Sequence, residues 1–153
     1  MDFQELKQNR SDWVDINRKN NFEQGIINLL TELYPDNAHF VYELLQNAED
    51  AQATEVLFNL QKDGLIFTHN GKRLFDIRDI ESITSIGVST KKDDVTTIGK
   101  FGVGFKAVFA YTNTPQIHSG DWHFKIDNLV VPNQISAPEN WIANKTQFVF
   151  PFN

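Results

Sequence analysis

Hydrophobic positions recur at helical spacing through the first third of the chain and fall into short strand-like runs over most of the rest. Residues 1–20 are polar and charged, with sparse apolar positions at Phe3, Leu6, Trp13 and Ile16. They predict a leading helix that docks loosely or packs against a partner, a frayed helical extension being an equal reading. Phe22, Ile26, Ile27, Leu29, Leu30 and Leu33 predict a helix over 22–34, stopped by Pro35-Asp36-Asn37, and 38–51 is helical again. The β-prone runs 54–60 and 65–68, joined by Lys62-Asp63-Gly64, predict a hairpin. Residues 75–86 form the next helix, with Asp76 as its cap and Ile77, Ile80 and Ile83 as its buried stripe. Residues 87–99 show no apolar periodicity and predict a loop long enough to carry function. A helix over 101–111, entered through glycines, precedes strands at 116–119, 122–127 and 146–150, with a Pro/Asn-rich loop before the last strand. Early helices and later strands, without repeats or a clear domain boundary, predict an α+β fold arranged as a two-layer sandwich.

Composition narrows the class. A chain of 153 residues is one domain's worth and buries roughly 70% of its unfolded surface. A hydrophobic share of 41% with 12% aromatics excludes a disordered chain. The net charge of -6 disfavours a phosphate backbone as partner, so nucleic acid is not indicated. Absence of Cys excludes disulfides, zinc–thiolate sites and thiol nucleophiles. No apolar run nears the roughly 20 residues of a membrane span, and the acidic start is unlike a signal peptide. A cytoplasmic, non-membrane domain is expected.

Three constellations could carry chemistry. Along 38–51, Glu43, Asn47 and Asp50 (i, i+4, i+7) share one helix face, with Val41, Leu44, Leu45 and Ala48 roughly opposite. That is either an ordinary solvated face or a carboxylate–amide–carboxylate set able to hold a hydrated divalent cation and a water. Gly99-Lys100-Phe101-Gly102-Val103-Gly104-Phe105 places three glycines at a helix entrance. It is either a flexible turn or an anion cradle of exposed N–H groups, and its spacing matches neither the Walker A nor the dinucleotide motif. His69-Asn70-Gly71, by itself, is a turn.

In this order the three pieces resemble the Bergerat-fold (GHKL-type) ATPases: large heat-shock chaperones, MutL-type repair proteins, gyrase-type topoisomerase subunits and histidine kinases. Residues 43–51, Glu-Leu-Leu-Gln-Asn-Ala-Glu-Asp-Ala, look like the N-box of that superfamily, and Gly99 to Phe105 look like its glycine box. Thr146 sits where the family places a threonine near adenine. Tyr34-Pro35-Asp36-Asn37-Ala38-His39 and Ser89-Thr90-Lys91 resemble the sacsin-like subgroup. The likeness covers roughly residues 22–152.

The resemblance implies a mostly antiparallel mixed sheet covered on one face by helices, with 1–21 as a helical extension and 22–153 as an ATP-binding domain excised from a longer chain. It makes Glu43 the general base, Asn47 the Mg²⁺ ligand, and Asp50 and Ala51 neighbours of nucleotide and metal. Gly99, Lys100, Phe101, Gly102, Val103, Gly104 and Phe105 would line the phosphates, Ser89, Thr90 and Lys91 the hinge side of a lid. The family's adenine motif, Asp-x-Gly-x-Gly, here reads His69-Asn70-Gly71-Lys72-Arg73. A neutral His69 could accept the adenine amino hydrogen bond, which predicts affinity falling as pH drops through about 6.5. The function implied is Mg²⁺-dependent ATP binding with slow hydrolysis, driving conformational change beside further domains, with a homodimer in the full-length protein. A non-hydrolysing sensor or a degenerate scaffold of the same fold are the alternatives.

Overall fold

The computed structural model describes residues 2–17, 28, 39–85 and 105–153. The expected helix over 22–34 and the loop over 87–99 lie outside these, as does most of the glycine segment. In chain order the described elements are α1 (Phe3–Asn17), α2 (His39–Asp50), β1 (Val56–Gln61), β2 (Gly64–His69) and α3 (Ile77–Thr84). A 3-10 helix (Lys106–Ala110) and β3 (Gln116–Ser119), β4 (Trp122–Asp127), β5 (Val131–Gln134) and β6 (Thr146–Pro151) follow. The fold is α+β: one six-stranded sheet of order β1-β2-β6-β3-β4-β5, antiparallel at every step, with three α-helices among the described residues. None of these helices is long and apolar enough to cross a membrane.

Strand alternation sorts the side chains of the central strands onto two faces. In register, Leu65 faces Phe150, Phe67 faces Phe148 and His69 faces Thr146, while Ile117 sits opposite both Phe148 and Phe124. All of these are buried, and the helices cover this face. Phe40 of α2 meets Phe150 edge-on at 6.0 Å, and Phe105 packs 6.1 Å from Phe148 and 6.0 Å from Phe150. Nine of the thirteen Phe are buried, which explains the skewed aromatic composition: large rings fill the layer between helix and sheet.

Helix α1 contributes to this core. Phe3, Leu6 and Val14 are buried, and Phe3 stacks on Trp122 at 5.5 Å. Trp13 packs against the core, whereas Ile16 is exposed. Arg10 ties the helix to α3 by donating to Thr84 Oγ1 and to the Glu81 carbonyl, both at 3.2 Å. The α3 helix starts at the predicted cap: Asp76 accepts from the amides of Arg78 and Asp79, and Asp79 accepts in return from the Asp76 amide.

One strand escapes the sequence pattern. β5 contains Pro132, within a stretch that reads as loop. It forms because β5 is an edge strand: its partner Ile126 sends its own N–H the other way, to the Pro115 carbonyl at 2.9 Å, so the ladder asks no donor of Pro132.

Candidate functional site

Helix α2 carries the first constellation, and burial there differs from simple amphipathic spacing. Leu44 and Ala48 are buried and Val41 is half-buried, but Leu45 is 41% exposed. Glu43, on the nominally polar side, is only 5% exposed, so that side is solvated only in part. Asn47 is half-buried, and its Oδ1 is fully buried with no hydrogen-bond partner. Asp50 is exposed and receives a long contact from Gln46 Nε2 at 3.4 Å. The face therefore grades from a buried carboxylate through an unsatisfied amide oxygen to solvent.

The helix ends in a Schellman cap, with the Ala53 amide bonded to the Ala48 carbonyl and the Gln52 amide to that of Glu49, each at 2.9 Å. Gln52 takes the left-handed conformation (φ 65°) that this motif requires. The cap delivers Ala51 against the turn after β2. A Cβ on Gly71 would lie 2.6 Å from the Ala51 Cβ and 2.9 Å from both the Ala51 carbonyl oxygen and His69 Nδ1, so only glycine fits. The Arg73 amide donates to the Ala51 carbonyl at 3.2 Å. Asn70 latches the intervening loop: its Oδ1 accepts from the amides of Thr54 and Glu55, each at 2.9 Å, and its Nδ2 donates to Thr54 Oγ1 at 2.8 Å. Asn70 is thus a structural clasp, and Ala51 and Gly71 are the contact that sets the His69 turn beside the end of α2.

His69, at the end of β2, is 2% exposed. Its Nδ1 accepts from the Gly71 amide at 3.0 Å, and its Nε2 is buried without a partner. Burial pushes its pKa down to about 4. The expected titration near pH 6.5 is therefore corrected: the ring stays neutral through the range in which solvated histidines protonate. Opposite it on β6, Thr146 is buried, its Oγ1 2.7 Å from Ser119 Oγ, which also accepts from the Phe75 amide at 2.9 Å. Ser119 had no sequence signal; only strand register pairs it with Thr146.

The side chain of Phe105 belongs to the core. Ser89, Thr90, Lys91, Gly99, Lys100, Phe101, Gly102, Val103 and Gly104 lie outside the described residues. A cavity of about 660 Å³ lies between α1 and the β4–β5 turn and touches none of the sequence-predicted site residues. A second, of about 470 Å³, borders β1 and β2 and includes His69 and Asn70. Among the described residues no three His, Cys, Asp or Glu side chains cluster as a metal cage. Asn47 Oδ1, a hard oxygen without a hydrogen-bond partner, is of the kind that could hold Mg²⁺, which takes few protein ligands and completes its shell with water and phosphate.

The described residues form an α+β domain on an antiparallel sheet, with two buried unpartnered polar atoms, one on α2 and one at the end of β2. The chain belongs to the Sacsin domain family, whose model matches residues 59–148, from β1 into β6 and including the His69 turn and Thr146. It is 41% identical over 104 residues to Protein NO VEIN of Arabidopsis thaliana, covering 65% of this chain and 4% of that protein. It is 35% identical over 105 residues to Sacsin of Homo sapiens, covering 58% and 2%, respectively. A Putative type II restriction enzyme HgiDII of Herpetosiphon aurantiacus is 32% identical over 106 residues, covering 64% and 17%. The matched region is thus a small fraction of each of these relatives.

Proposed function

We propose that this Sacsin-family domain is a Bergerat-type, Mg²⁺-dependent nucleoside-triphosphate-binding module with slow hydrolysis, ATP being the nucleotide implied by resemblance. One observation carries the reading. Two buried side-chain atoms without a partner, Asn47 Oδ1 and His69 Nε2, stand at the two positions the resemblance assigns to metal and base. Buried polar groups are almost always paired, and an unpaired one costs about 1–3 kcal/mol. Two at corresponding sites suit a ligand that completes both.

In this reading Asn47 offers its amide oxygen to Mg²⁺, which neutralises the triphosphate oxygens when bound. Glu43, four residues earlier on the same helix and shielded from bulk water, orients the attacking water and takes its proton. Low exposure keeps competing water away from that carboxylate. His69 and Thr146 meet the base edge from neighbouring strands. The small share of each relative that this region occupies is in keeping with a module working beside further domains of a longer chain; the homodimer and the cytoplasmic setting rest on the resemblance alone.

Calorimetric titration with ATP, ADP and GTP, with and without Mg²⁺, tests the reading on wild type and Asn47→Ala. Mg²⁺-dependent heat that Asn47→Ala loses supports it; no heat with any nucleotide at millimolar concentration sinks it. Phosphate release then separates hydrolysis from sensing. Glu43→Ala retaining binding but losing turnover identifies the base, and equal turnover rejects it.

A further inference from the structure

The two edges of the sheet are protected unequally. On β5, Pro132 takes a position whose N–H would face outward, and α1 packs against the strand. β1 carries neither device: it contains no proline and no charge, and among the described residues no strand lies beyond it. Its free hydrogen-bonding groups follow from the ladder. The Asn70 amide donates to the Glu55 carbonyl, and Gln61 pairs with Gly64 at the hairpin end. Antiparallel alternation then turns the backbone groups of Leu57, Asn59 and Gln61 toward β2, and those of Val56, Phe58 and Leu60 outward. The side chains of this strand are open as well. Val56, Leu57, Phe58 and Leu60 are all exposed, Leu60 to 73%. A row of rings runs across the sheet from Phe148 to Phe67 (5.9 Å) and on to Phe58 (4.7 Å), where the core layer ends in water.

An edge open in both backbone and apolar side chains is a template for another strand. The sequence of β1 suits a copy of itself. Two such edges meeting antiparallel about a two-fold axis normal to the sheet keep each side chain on its own face. With the axis at Phe58, that ring faces its counterpart, Val56 faces Leu60, Leu57 faces Asn59 and Glu55 faces Gln61. Apolar side chains then meet on the helix-covered face, and no charge lies directly opposite one of like sign. Moving the axis to Asn59 sets Glu55 against Asp63 and Val56 against Lys62, and moving it to Leu57 sets Leu60 against Thr54. We infer that β1 is a homodimer interface, in which the edges of two copies pair about Phe58 and join their sheets into one. The contact needs no nucleotide, so it stands apart from the homodimer that the resemblance implies.

One short strand a side buries less than a standard interface, so the dimer is weak. Sedimentation equilibrium of the nucleotide-free chain should show monomer at ~1 µM and mostly dimer at ~1 mM. Leu60→Lys should move the transition to about tenfold higher concentration or beyond, with the melting temperature of the dilute protein unchanged. Cysteine scanning reads the register, because the chain has no thiol of its own. Phe58→Cys would face itself at about 5.5 Å between Cα atoms, within disulfide reach, and should crosslink under mild oxidation. Val56→Cys and Leu60→Cys each lie more than about 13 Å from their own counterparts and should not. A mixture of those two proteins should form the mixed disulfide. Wild type still monomeric at ~1 mM, an unmoved transition in Leu60→Lys, or self-crosslinking of Val56→Cys as fast as that of Phe58→Cys overturns the inference. So does a monomer whose Phe58 amide resists hydrogen exchange, which would mean that another part of the chain pairs with β1.

Discussion

Lys106 Nζ donates to the Ile83 carbonyl at 2.8 Å from a position that is 1% exposed. Its second acceptor, at 3.3 Å, is the carbonyl of Leu129, a residue held at φ 70°, where a branched side chain is uncommon. Together with Arg10 on the Glu81 carbonyl, Lys106 satisfies the C-terminal end of α3, where helix carbonyls lack partners and favour cations. Lys106→Met keeps the apolar stem and removes the donor. It should lower unfolding stability by about 1–3 kcal/mol, read from the urea midpoint. An unchanged midpoint would show the two carbonyls satisfied otherwise.

The same lysine should give stability an alkaline slope. Burial first, and Arg10 second, push its pKa from 10.5 down to about 7. Between those values the unfolded chain holds a proton that the native protein releases, so stability rises with pH across the window and is flat below it. The slope is up to about 1.4 kcal/mol per pH unit. The difference between wild type and Lys106→Met, followed by denaturant unfolding from pH 7 to 10, isolates it.

Whether α1 is an accessory or part of the core is decided by one side chain. Leu6 is fully buried, so Leu6→Ala should cost about 2–5 kcal/mol, as core truncations do. Ile16, 74% exposed on the same helix, should tolerate alanine within about 0.5 kcal/mol. Equal small effects in thermal melts would return α1 to the status of a loose extension.

That contrast shows what the chain makes legible. Periodicity located α1, α2, the hairpin, α3 and four of the later elements because each carries its own apolar repeat or cap, Asp76 most clearly. It could not rank Ile16 against Val14, since which side of a helix is buried depends on partners distant in sequence. β5 stayed hidden because Pro132 argues against a strand unless the strand is an edge, and edge position is a property of topology. At the candidate site, the N-box-like residues and the His69 turn were readable as a motif. The burial of Glu43, the Ser119–Thr146 pair and the tautomer of His69 were not, because each depends on cross-strand or helix–turn contacts.

Gly71 is the residue on which the geometry of the site turns. The Cβ of Gly71→Ala would meet the Ala51 carbonyl and Cβ and the His69 ring within 2.9 Å. The strand end and helix must separate, at a cost of about 1–3 kcal/mol, and the amide bond that fixes His69 is lost. A melting point within a degree of wild type, with the imidazole proton unmoved on Nε2, would contradict this.

Acid should act through three histidines. Burial pushes His69 and His118 down to about 4, the neighbouring His123 contributing to the second, and burial lowers His123. His118 and His123 share a bond between their Nδ1 atoms at 3.0 Å, with Gln116 on the far side of His118. As pH falls from 6.5 toward 4, the unfolded chain takes up protons that the native rings refuse, so stability declines across that window. Each buried ring steepens the loss by up to about 1.4 kcal/mol per pH unit, and half-exposed His123 adds less. His118→Gln should flatten part of the slope between pH 6.5 and 4.5; an unaltered slope would assign the acid sensitivity to other groups.

Asn47 should show a conflict between stability and binding. Its buried Oδ1 has no partner, and asparagine is a poor residue for a helix interior. Asn47→Ala removes the unsatisfied acceptor and substitutes the best helix former, against a small loss of packing. The ligand-free protein should therefore gain about 1 kcal/mol, visible as a higher melting temperature. In the same samples, the upward shift that Mg²⁺ and nucleotide give to wild type should vanish. A residue kept for the fold would behave in the opposite way, its alanine variant being less stable without ligand and shifted by ligand as before. Only a residue kept at the expense of the fold for what it binds gains stability and loses response together.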